Sequence, residues 1–143
     1  MTNSFEPDMD SHIYLSGPMG EGEVSVALFT HVTEVLNDAG YPNVFNPSAI
    51  SYTDERFLGK PSNGFREQLS QLASSDTVMF FGAWENARGC ITELLNAVLF
   101  GCNLFTLTVD SHGDIDLTPL AIDRSNVSGI VSDLLLKQQA LHQ

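Results

Sequence analysis

The chain has 143 residues, 43% of them hydrophobic and only 17% charged. That is the size of one ordinary domain with enough apolar side chains for a core, and it is neither disordered nor built around disulfides. Its 18 Asp plus Glu against 6 Lys plus Arg leave a net charge of -12, a field that repels nucleic-acid phosphates and anionic membranes.

Met1 to Ser11 is polar and acidic, with neither a basic start nor an apolar stretch. It reads as a flexible tail on a single domain covering residues 12–143, with no targeting leader. Ile13-Tyr14-Leu15 is a short buried strand stopped by Ser16-Gly17-Pro18. Val24 to Ala39 has apolar residues at helical spacing, with Gly40 at its C-cap. Val44-Phe45 is a second strand, ended by Asn46-Pro47. Ile50 to Ser62 reads as a polar, irregular loop able to move over a site. A helix is expected from Gly64 to Ser75, then the clearest buried strand, Thr77 to Phe81, closed by Gly82. After the loop Ala83 to Gly89 comes a helix from Cys90 to Phe100, capped by Gly101. Leu104 to Val109 is a further strand. The polar stretch after it, with Asp110, His112, Asp114 and Asp116, reads as a solvated loop whose spacing fits no standard calcium site. Val127 to Leu141 forms a final amphipathic helix.

Strands alternating with helices imply an α/β, Rossmann- or flavodoxin-like three-layer fold with a mostly parallel sheet of four or five strands. In such sheets a ligand sits beyond the carboxyl ends of the strands, which directs attention to Ser16 to Gly22, to Asn46-Pro47 and to Gly82 to Gly89. The glycines of Ser16-Gly17-Pro18-Met19-Gly20 allow close backbone approach. Their spacing is neither a Walker loop nor a dinucleotide fingerprint. Arg88 stands at a helix start, where a phosphate can dock. Glu93 lies among the apolar Ile91, Leu94 and Leu95, on the first turns of a helix that faces the strand ends. A carboxylate there can attack a sugar carbon. Cys90 and Cys102 suit neither a metal pair nor a disulfide framework and are expected as thiols.

Taken in order, strand-Ser16-Gly17-Pro18-Met19, Gly40-Tyr41, Val44-Phe45-Asn46-Pro47, Arg66, Ser75-Asp76-Thr77-Val78, Trp84-Glu85-Asn86-Ala87-Arg88-Gly89 and Glu93 with Ala97 and Gly101 resemble the nucleoside 2-deoxyribosyltransferase-like superfamily. The likeness covers about residues 12–109. It is strongest to a branch common in phage genomes, and the chain is similar to the 2′-deoxynucleoside 5′-monophosphate N-glycosidases. The resemblance implies cleavage or transfer at an N-glycosidic bond, with no metal or cofactor, in a homodimer or larger homo-oligomer; with neither a leader nor an apolar span in view, the cytoplasm is the expected location. It implies Glu93 as nucleophile, a small nucleoside or nucleotide as partner, and neither a nucleic-acid polymer nor a membrane. Candidate substrate-binding residues are Ser16, Gly17, Pro18, Met19, Asn46, Pro47, Gln68, Trp84, Asn86, Ala87, Arg88 and Gly89. In one respect the chain departs from the pattern. Where the family carries an acid on the helix before the central strand, this sequence has Gln68, with Glu67 beside it. Glutamine hydrogen-bonds but cannot act as an acid. Either Glu67 turns inward, or another group serves, or turnover is low. A nucleotide-binding protein of the same fold without turnover is the competing expectation.

Overall fold

The computed structural model describes residues 7–18, 23–49 and 61–141. The candidate Met19 and most of the expected mobile loop, residues 50–60, lie outside them. Residues 8–11 form a turn in which Ser11 N–H donates to the Asp8 carbonyl. Asn43 Nδ2 donates to the Asp10 carbonyl, tying the turn to the body of the domain.

Five strands form one sheet: β1 (Ile13–Ser16), β2 (Val44–Phe45), β3 (Thr77–Phe81), β4 (Asn103–Val109) and β5 (Ile115–Pro119), in the order β2-β1-β3-β4-β5. The first four are parallel and β5 runs antiparallel to β4. The helices are α1 (Glu23–Asp38), α2 (Pro61–Ala73), α3 (Arg88–Phe100) and α4 (Val127–Leu141). The chain moves from β1 outward to β2, then back across β1 to β3 and on to β4. Right-handed crossovers in opposite directions put their helices on opposite faces. Accordingly Phe29, Val32 and Leu36 of α1 fill one layer, while Leu72 of α2, Leu94 of α3 and Leu134 of α4 fill the other. The fold is the expected three-layer α/β arrangement with a mostly parallel sheet.

Side chains alternate along a strand, and β1 uses this fully. Ile13 and Leu15 enter the α1 layer, whereas Tyr14 enters the layer of α2, α3 and α4. β3 divides in the same way, Met79 and Phe81 facing α1, Val78 and Phe80 facing α3. Two expectations need correction. The polar stretch after β4 is not simply a solvated loop: Ile115 and Leu117 pack against the α1 layer and pair with Val109 and Leu107. Only residues 110–114 turn, with Asp110 Oδ1 accepting from the N–H groups of His112 and Asp114. In addition α2 starts at Pro61, three residues before the expected Gly64. A proline at a first helical position suits the helix, because its missing N–H has no intrahelical partner there.

Candidate active site

The carboxyl ends of β1 and β3 mark the point where the strand order reverses, the place where doubly wound sheets open a crevice. α3 begins just beyond β3. Its N-cap, Ala87, has extended backbone and no side-chain cap, so the first turn keeps unsatisfied N–H groups. Its C-terminus is closed by Gly101 in the left-handed region at φ 78°, with its N–H on the Ala97 and Val98 carbonyls. Residues three and four apart share a helix face. Gly89, Cys90, Glu93 and Asn96 of α3 therefore point together toward Gln68, Leu69 and Leu72 of α2. With Tyr14, Gly17, Ala87 and Thr92 they enclose a cavity of about 310 Å³.

Glu93 is the chemical centre of this cavity. Ser16, fully buried at the end of β1, donates its Oγ–H to Glu93 Oε1 at 3.1 Å. Burial pushes the Glu93 carboxyl from its ordinary 4.5 up to about 7, while hydrogen bonds with Tyr14 and Ser16 pull it back toward ionisation. Removal from water disfavours the charged form, and donors aimed at the oxygens favour it. Here burial prevails, leaving a carboxyl that titrates near neutrality. Cys90 stands one helical turn before Glu93. Burial pushes its thiol up to about 12, against a lowering contact with Ser16, and the Glu93 charge adds to the rise. It is therefore a protonated thiol at neutral pH, inert as a nucleophile. Both cysteines are free, as expected.

Of the candidate residues, the structure brings Gly17, Gln68, Ala87, Gly89 and Glu93 onto one cavity wall, with Ser16 behind it holding Glu93. The side chain of Gln68, not that of Glu67, lines the cavity. Glu67 Oε1 instead accepts from Gln71 Nε2 at 3.3 Å along α2. Gly17 must be small: a Cβ there would run into the ring of Phe81. Pro18 packs near Gly82, whose added Cβ would meet it at 3.3 Å. The other candidates lie elsewhere. Asn46 Oδ1 accepts from the N–H and hydroxyl of Ser48 and starts the short 3-10 turn Pro47–Ala49. Pro47 is buried. Trp84 is 6% exposed and packs at a tilt against Phe80, ring centroids 4.8 Å apart, in the core. Asn86 and Arg88 are exposed. Sequence reasoning passed over Tyr14, Leu69, Leu72, Thr92 and Asn96. The strand period of two from Ser16 and the helical period from Glu93 and Gln68 point to most of them.

A family model described as a domain of unknown function, DUF4406, matches residues 11–105. The chain belongs to the DUF4406 family. The match runs from before β1 into β4 and includes every residue named on the cavity wall. DUF4406 is associated with nucleoside 2-deoxyribosyltransferase-like proteins. A search of curated proteins returned no match. Among the described residues of this DUF4406 chain no helix is long and apolar enough to cross a membrane.

Proposed function

We propose that the protein cleaves or transfers at the N-glycosidic bond of a nucleoside or its 5′-monophosphate, with Glu93 as nucleophile. The observation that carries this reading is the Glu93 carboxyl on the wall of the strand-end cavity, held by Ser16 at 3.1 Å. In the carboxylate form an Oε attacks C1′ of the sugar as the C1′–N bond breaks, and the base departs with the bonding electrons. Water, or a second base, then attacks C1′ and releases Glu93. This is the two-step course of a retaining glycosidase, which requires the carboxylate in contact with the sugar. The apolar walls from Leu69, Leu72 and Ala87 suit a flat base, and Gln68 and Asn96 supply amides able to read its edge. The N–H groups at the start of α3 and the exposed Arg88 would receive the 5′ end.

Incubation with a panel of nucleosides and their monophosphates, followed by chromatography for free base, tests the proposal. Release by the wild type and none by Glu93→Ala is the expected result. Release that persists in Glu93→Ala removes Glu93 from the chemistry, and a panel without release removes the enzymatic reading. A second reading, binding without turnover, is favoured by one observation: among the described residues, the polar side chain lining the cavity from α2 is the neutral Gln68. A ligand that raises the melting temperature and is recovered unchanged would support that reading.

A further inference from the structure

We infer that the substrates turned over best are N-glycosides whose base already carries a positive charge, such as N-ribosyl pyridinium compounds or N7-alkylated purine nucleosides. This deepens the proposed glycosidase chemistry and rests on it. The argument starts from the leaving group. A neutral purine or pyrimidine departs as an anion unless an acid protonates it. A cationic ring departs neutral, because the electrons of the breaking C1′–N bond cancel its charge. Among the described residues, the polar side chain that α2 presents to the cavity, beside Leu69 and Leu72, is Gln68, an amide with no acidic proton. Such a wall suits a base that needs no proton.

The nucleophile argues the same way. Glu93 is half-buried beside the apolar walls, and its removal from water raises its proton affinity until it titrates near neutrality. A neutral ligand filling the cavity displaces more water and favours the protonated, unreactive carboxyl. A cationic ring in the same place favours the carboxylate and so generates the nucleophile as it binds. The net charge of -12 favours encounter with a cation. The groups that face Glu93 among the described residues are Tyr14 and Ser16 from β1, Cys90 from α3 and Gln68 from α2. Ser16 and Gln68 do not ionise, and burial keeps Cys90 a neutral thiol, so none of these three replaces the cation's effect.

The reaction balances without an added acid. Glu93 Oε bonds to C1′, the C1′–N bond breaks and the neutral base leaves. Water then attacks C1′, displaces Glu93 and gives one proton to solvent. The products are sugar, neutral base and a proton.

The matched pair guanosine and N7-methylguanosine tests the inference, with nicotinamide riboside as a pyridinium probe. Release of base is measured by chromatography, and each rate is divided by the spontaneous rate in buffer. The expected result is an enhancement at least about tenfold larger for the cationic member, lost in Glu93→Ala. Gln68→Glu should raise turnover of guanosine by supplying an acid and narrow the gap. Calorimetry with nicotinamide riboside, whose ring keeps its charge at every pH used, gives a readout apart from turnover. Its binding should strengthen as pH rises from 6 to 8 and lose that dependence in Glu93→Gln. Enhancement that is equal or larger for guanosine overturns the inference and leaves the glycosidase reading standing. Release from none of the three, nor from a wider nucleoside panel, overturns both. Binding of nicotinamide riboside that does not change with pH counts against the inference even where turnover is seen.

Discussion

Replacing Glu93 by glutamine keeps the shape of the side chain and removes its charge, so it isolates what burying this carboxyl costs the fold. Its pKa rises on folding from 4.5 to about 7. At ~1.4 kcal/mol per pH unit, ionising it therefore costs the folded state about 3 kcal/mol. The sign follows from proton counting. Below pH 4.5 the carboxyl is protonated in folded and unfolded chains alike, and the penalty is absent. Between 4.5 and about 7 the folded chain holds a proton that the unfolded chain has released, so stability falls as pH rises. Above about 7 both are ionised and the penalty is complete. Glu93→Gln never pays it. Urea unfolding of both proteins at intervals from pH 4 to 8 measures the effect. The other carboxylates titrate in both proteins, so they cancel in the difference. The stability of the variant relative to wild type should climb by about 3 kcal/mol between pH 4.5 and 7 and then level off. With a urea slope of ~1–3 kcal/mol per molar, the two midpoints should separate by an additional 1–3 M or so. A difference that stays constant from pH 4 to 8 would mean that Glu93 titrates as an exposed carboxyl, and the account of the site would fail.

Three further outcomes are expected. Ser16→Ala removes the donor at 3.1 Å and should push the Glu93 pKa higher, moving the acid limb of a pH–rate profile up by about one to two pH units, from the ~1.5–3 kcal/mol of a hydrogen bond to a charged group. Gly17→Ala brings a methyl into the Phe81 ring. Overpacking of this kind costs ~1–3 kcal/mol, which thermal unfolding will show, together with weaker binding in the adjoining cavity. Trp84→Ala opens a hole beside Phe80 and should cost ~3–5 kcal/mol in urea unfolding, whereas Trp84→Phe should cost less, because a ring remains on Phe80.

Most of the fold was legible because its strands and helices have unmixed periods. Thr77 to Phe81 is apolar without interruption, as a strand covered on both faces must be, and its bounds match β3. β5 was missed because it is an edge strand with one covered face. In Ile115-Asp116-Leu117-Thr118-Pro119 only the first and third side chains enter the core, and Asp, Thr and Pro disguise the alternation. Glu93 was legible for a different reason: a carboxylate flanked by Ile91, Leu94 and Leu95 is costly unless the site uses it. The partners of Glu93 were harder to read. Ser16 lies 77 positions away, and only the three-dimensional closeness of β1 to α3 makes its hydroxyl a donor rather than a turn residue. Trp84 shows the converse. Its place in a loop at the strand ends suggested a ligand contact, yet that loop tucks its ring under the sheet against Phe80.

Strand and helices divide the labour of this site unequally. Tyr14 and Ser16 hold Glu93, and both are fixed by β1, whose alternate residues Ile13 and Leu15 anchor the opposite layer. Shifting β1 by one residue would exchange the faces, burying Ser16 against α1 and removing the donor from Glu93. The proton affinity of the carboxyl is thereby tied to the register of the sheet. Gln68, Thr92 and Asn96 are placed differently. They reach the cavity from helix faces that are partly open to solvent, where a change of side chain leaves the strand register alone. On the proposed function, variation at these three positions would alter which base is accepted at little cost in stability, while Glu93 stays held by the strand beneath it.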